Sequence, residues 1–129
     1  MKILLVVLLL APLSARPAPR IACHLDALNK AEWAHLKALV PRLTAEVTGR
    51  TDLPAGYAFR FPSSAVPLVG EWTWYVARCC PMVDYRIEIG PTTGGDLLLS
   101  LAGGEGVKEF IALEFAALFE ALPVKASSK

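Results

Sequence analysis

Side chains that commonly do chemistry are scarce in this sequence. Its 129 residues hold three cysteines, Cys23, Cys79 and Cys80, and two histidines, His24 and His35. No serine–acid constellation can be assembled around His35 from spacing, so it reads as a surface or boundary residue of a helix. The paired Cys-x-x-Cys spacing of structural zinc sites is absent. A surplus of one charge is missing too: 13 basic against 12 acidic groups leave a net +1 with no basic stripe. A nucleic-acid partner therefore has no electrostatic footing. Neither Gly-x-x-x-x-Gly-Lys-Ser/Thr nor Gly-x-Gly-x-x-Gly occurs. The glycines of "LAGGEGVKEF" read as a strand-to-helix turn needing positive φ rather than as an anion cradle.

Apolar runs long enough to span a bilayer are also lacking. The longest, Ile3–Leu13, follows Lys2 and is broken only by Pro12. It suits the core of a secretory signal. Residues 1–15 are read as that signal, with cleavage after Ala15, or alternatively after Ala18, and no stable membrane span once it is removed. A lipid-anchored Cys23 is disfavoured, because Arg20 stands three positions before it and "RPAPR" separates it from the apolar core. Residues 16–21 form a proline-rich connector, 22–122 a single domain and 123–129 a fraying tail. The chain is thus expected to be exported, to the periplasm or the outside.

What remains is rich in core formers: 54% of residues are hydrophobic and 19% charged, which excludes disorder as the default. "LNKAEWAHLKALVPRLTAEV" pairs Asn29 as helix cap with Glu32 in a capping box. Trp33, Leu36, Val40, Leu43 and Val47 form its expected buried stripe, and Pro41 is expected to kink or split the helix. "VTGRTDLPAGYAFRFP" reads as a hairpin turning at Pro54-Ala55-Gly56. A second helix follows in "SSAVPLVGEWTWYVARCC", with Ser63 or Ser64 as cap, Pro67 in its first turn and Pro81 closing it. Its Trp72, Trp74 and Tyr75 are core or pocket aromatics.

In "MVDYRIEIG", Tyr85, Ile87 and Ile89 alternate with Asp84, Arg86 and Glu88, and "DLLLSLAG" supplies a fourth strand. "EGVKEFIALEFAALFEAL" is a third helix. The expected fold is α+β, a four-stranded mainly antiparallel sheet with three helices on one face, in the order α-β-β-α-β-β-α. The opposite face would present Arg60, Asp84, Arg86 and Glu88 to solvent or to a second copy, making a homodimer through the exposed sheet face an expectation.

The segments "DLPAGYAFRFP", "ARCCPMVDYRIEI" and "GGEGVKEFIALEF" together resemble a family of small uncharacterised bacterial proteins. That family carries a Cys-Cys-Pro-Phe motif before a strand and Thr-Gly-Pro-Glu-Gly-x-Lys-Glu-Phe at the last helix entrance. The resemblance covers nearly all of residues 21–118. The chain departs from it at Ala55, where Asp is expected, at Met82 for Phe, and at Ala102-Gly103-Gly104 for Thr-Gly-Pro. What the resemblance implies is a single α+β domain with Cys79-Cys80-Pro81 as a group signature; it implies no activity, substrate or cofactor.

Two readings of the cysteines follow from the residues. A bridge between the direct neighbours Cys79 and Cys80 would close a strained ring. Cys23 paired with Cys79 or with Cys80 is the better bridge, leaving one thiol over. Alternatively Cys23, Cys79 and Cys80 supply three soft ligands, with His24 or Met82 as a further donor, for a thiophilic ion such as Cu(I) or Zn(II). The functional expectation is a small exported non-enzymatic protein with a thiol centre, with soft-metal binding as its sharper form. The alternative is a structural or interaction domain that the cysteines only staple.

Overall fold

Asn29 opens the first helix as the local sequence requires. The structure, a computed structural model, describes residues 21–122. The proposed signal, the connector up to residue 20 and the tail 123–129 lie outside the described residues. Helix α1 spans Lys30–Glu46. The Asn29 side chain accepts the Glu32 N–H at 2.8 Å, and the Glu32 carboxylate accepts the Asn29 N–H at 3.1 Å. Two otherwise orphaned backbone donors are thereby satisfied.

Pro41 does not split α1, which runs through it as one element. Leu36, Leu39 and Leu43 are buried on both sides of Pro41. Their packing outweighs the cost of an interior proline, about 3 kcal/mol. The buried stripe is also shifted from expectation: Leu39 is within the core, while Trp33 and Val40 are only half-buried.

Strands β1 (Gly49–Leu53) and β2 (Gly56–Phe61) form the expected hairpin around Pro54 and Ala55. Gly56 is needed there, because a Cβ would run into the Leu101 carbonyl on the next strand. A short 3₁₀ turn, Ser63–Ala65, leads into α2 (Val66–Cys79), with Pro67 in its first turn. Neither Ser63 nor Ser64 caps this helix through its side chain. The turn closes on the backbone instead, Ala65 N–H donating to Pro62 C=O at 2.9 Å.

Strands β3 (Asp84–Ile89) and β4 (Leu97–Ala102) form the second hairpin. The third helix differs from expectation. It divides at Phe115 into α3 (Val107–Glu114) and α4 (Ala116–Glu120), giving four α-helices among the described residues. Phe115 places its ring edge-on to Trp72 at 5.4 Å and to Phe110 at 6.4 Å. The break lets α4 send Phe119 to Tyr57 and Phe59, at 4.8 and 5.3 Å. One straight helix would have to serve two surfaces, and the apolar arc was too wide for that.

The sheet order is β1-β2-β4-β3, and every pairing is antiparallel. Register aligns Tyr85, Leu101 and Tyr57, then Ile87, Leu99 and Phe59, then Ile89, Leu97 and Phe61. Those rows face the helices, so the fold is α+β with an open sheet. Phe59, Phe61, Leu97, Leu99 and Leu101 meet Val69, Trp72 and Val76 of α2, Leu39 and Leu43 of α1, and Ile111 of α3 in one core. Replacing a fully buried member such as Phe59 by Ala would cost about 3–5 kcal/mol. On the opposite face Asp84, Arg86 and Glu88 are exposed, and Arg60 is half-exposed and bonded to Thr93 C=O and Asp96. Among the described residues no helix is long and apolar enough to cross a membrane.

Candidate functional site: the cysteine centre

Helix α2 ends at Cys79, and Cys80 caps it, its N–H bonded to Val76 C=O at 2.8 Å. Pro81 cannot continue the helix, so the chain turns at once into β3. Tyr85, the second residue of that strand, reaches back with its hydroxyl to Cys80 C=O at 3.1 Å. Burial, and secondarily the neighbouring Cys79, raise the Tyr85 phenol well above its ordinary range. It is therefore a fixed donor.

Onto this helix end the N-terminal segment 21–29 is laid as a strap. The Cys23 and Cys80 sulfurs lie at disulfide-bonding distance, with Cα atoms 4.7 Å apart. The next residue donates its backbone N–H to Cys79 C=O at 2.6 Å. The Trp33 indole donates to Leu25 C=O at 2.9 Å, and Leu28 is buried in the core. Arg78 makes an ion pair with Glu32, donates to Ala27 C=O at 3.3 Å and lies 4.7 Å over the Trp74 ring. That bond to Arg78 first, and the Asn29 backbone N–H second, hold the Glu32 carboxyl below its ordinary value.

Cys79 is the remaining thiol and is almost wholly buried, with 2% of its surface exposed. Its Sγ lies 3.7 Å from Cys80 Sγ and 3.4 Å from Val76 C=O, to which it can donate. Burial pushes its pKa up, and Glu114 adds to the rise, so it stays a protonated thiol near neutrality. It borders a mainly apolar pocket of about 170 Å³ shared with Trp33, Trp72, Phe115 and the exposed Lys37 and Glu114.

All three sulfurs lie within 4.8 Å of one another. Three thiolates around one ion at about 2.3 Å need sulfurs roughly 3.8 Å apart, so Cys23 and Cys80 would have to be reduced and move apart to hold one. No such site can coexist with a Cys23–Cys80 bond, which consumes two of the ligands. His24 is not brought into this cluster: it contributes its backbone N–H and its side chain is exposed. Met82 is half-buried and packs on the core.

No family model, curated protein or solved structure matches this chain. Its function has to be read from its own residues.

The other candidates are absorbed by structural roles. His35 Nε2 lies 2.6 Å from Glu71 Oε1, tying α1 to α2 at the surface. At the entrance of α3, Lys108 donates to Leu53 C=O at 2.6 Å and sits 4.9 Å over the Tyr57 ring. Positive φ is confined there to Gly106. Trp72 is core and also lines the pocket, whereas Trp74 is exposed. Sequence reasoning missed Tyr85 and the Arg78–Glu32 link. The one available signal was the adjacency of Arg78 to the cysteine pair.

Proposed function

We propose that this chain is a small exported, non-enzymatic domain whose Cys23–Cys80 disulfide staples its N-terminal segment to the helix that organises the core. Cys79 is left as a sequestered thiol. The observation that carries this reading is the bonding distance between the Cys23 and Cys80 sulfurs, supported by the signal-like start of the sequence. A bond joining residues 57 apart removes enough unfolded-chain entropy to stabilise by about 4 kcal/mol, and such bonds persist in oxidising compartments. The burial of Cys79 and the structural engagement of His35 and Lys108 support a non-catalytic role. Producing the full chain in an exporting cell tests the proposal. The recovered protein should begin near residue 16 or 19 and weigh two hydrogens less than its reduced form. Retention in the cytoplasm with three free thiols would overturn it.

The clustering of all three sulfurs favours a second reading, in which the reduced protein holds one Cu(I) or Zn(II) ion. Native mass spectrometry should then show one ion on the reduced protein, none on the oxidised protein, and none on a reduced Cys79→Ala variant. Equal uptake by all three forms, or uptake by none, would remove the metal from the account.

A further inference from the structure

Among the described residues, strand β3 is an outer strand of the sheet, hydrogen-bonded to β4 on one side only. An open edge of this kind is a template for another strand. The opposite edge, β1, is protected: Arg50 and Asp52 lie on its helix-facing side, opposite Phe59 and Tyr57, and pair with each other at 3.3 Å. Inward-facing charge is a standard way of blunting an edge. On β3 the same side carries Tyr85, Ile87 and Ile89, and the two isoleucines are 40% and 45% exposed.

We propose that β3 pairs antiparallel with β3 of a second copy of this chain, with the two-fold axis at Ile87, giving a continuous eight-stranded sheet. The charge pattern selects that register. With Ile87 opposite the partner's Ile87, Arg86 faces the partner's Glu88 and Glu88 faces the partner's Arg86 on the solvent side. On the helix side Tyr85 meets the partner's Ile89, and Ile89 the partner's Tyr85. Directly opposed residues share a face in antiparallel pairing, so charges meet charges and apolar side chains meet apolar ones. An axis at Arg86 would set Arg against Arg and Asp84 against the partner's Glu88. An axis at Glu88 would oppose two glutamates. Centred on Tyr85, the pairing would run off the strand into the turn after Cys80 and leave Ile89 uncovered.

The contact is isologous and closes at two copies, because the outer strands of the dimer are then the two blunted β1 edges. One six-residue strand per copy is a small interface, so the dimer belongs to the weak, reversible class.

Sedimentation equilibrium of the purified, disulfide-intact protein, loaded up to roughly millimolar concentration, tests the proposal. The mass should rise from monomer towards dimer and no further. Arg86→Glu and Glu88→Arg should each weaken self-association by about tenfold or more, by opposing like charges twice. An equimolar mixture of the two variants, and the double variant Arg86→Glu/Glu88→Arg, should both recover it. A wild-type protein that stays monomeric, or single variants that associate like wild type, would overturn the dimer. Weakened single variants without recovery in the mixture and the double variant would overturn the register and with it the proposal.

Discussion

The two sides of the sheet are finished by different chemistry. On the β3 side the N-terminal segment is fastened by the Cys23–Cys80 pair, the His24 N–H bond to Cys79 C=O and the Trp33 and Arg78 side-chain bonds to its carbonyls, and Tyr85 joins strand to helix end. Among the described residues the β1 side has no sulfur link. Arg50 lies 4.8 Å from the Phe119 ring, Lys108 lies 4.9 Å from the Tyr57 ring, and Lys108 also holds Leu53 C=O. The difference follows from what each side has to hold. Strand β1 is already paired along its length with β2. The strap 21–29 has no ladder or helix of its own and buries fully only Leu28. A segment with so little apolar area cannot offset its own ordering entropy, and a covalent link removes much of that cost.

Breaking the staple should have the largest effect. Cys23→Ser is expected to destabilise by about 4 kcal/mol in chemical denaturation. Hydrogen exchange should accelerate through residues 24–29 while β1 keeps its protection. Uniform loss on both sides would contradict the contrast.

Tyr85→Phe comes next. It removes the donor to Cys80 C=O and should cost about 1–1.5 kcal/mol, read as a shift in denaturation midpoint at constant slope. On the other side, Lys108→Met should cost about 1 kcal/mol through the lost bond to Leu53 and the lost cation–ring contact. Its exchange effect should be confined to the β1–β2 hairpin and the start of α3.

The smallest effect belongs to Glu32. Its folded pKa is depressed, so its contribution is present above the unfolded glutamate value and fades as pH falls through the lower folded value. Glu32→Gln should flatten the acid limb of the stability profile, with a small cost that is present at neutral pH and vanishes once the pH falls below the folded value. Equal acid sensitivity of variant and wild type would remove the Arg78–Glu32 link from the account.

Local chemistry was the legible part of this sequence. The Asn29–Glu32 box, both hairpins and the end of α2 before Pro81 depend on neighbours within a few residues, and those rules transfer directly. Alternation placed Tyr85, Ile87 and Ile89 on one face, and the ladder agrees. Alternation did not reveal the sheet order, so the exposure of Ile87 and Ile89 at an edge was not legible. Leu39 was missed because a stripe drawn through Trp33 and Val40 rotates the helix by a fraction of a turn. Ser63 and Ser64 had the right chemistry for a cap, but a backbone turn took that place. The choice between Cys79 and Cys80 as partner of Cys23 depends on where the strap crosses the helix end. No spacing rule encodes that.

Non-reducing peptide mapping after alkylation under denaturing conditions tests the central claim most directly. The account predicts a linked peptide pair containing Cys23 and Cys80, with the alkyl label on Cys79 alone. A Cys23–Cys79 link, or label on all three cysteines of protein recovered from an oxidising compartment, would contradict it.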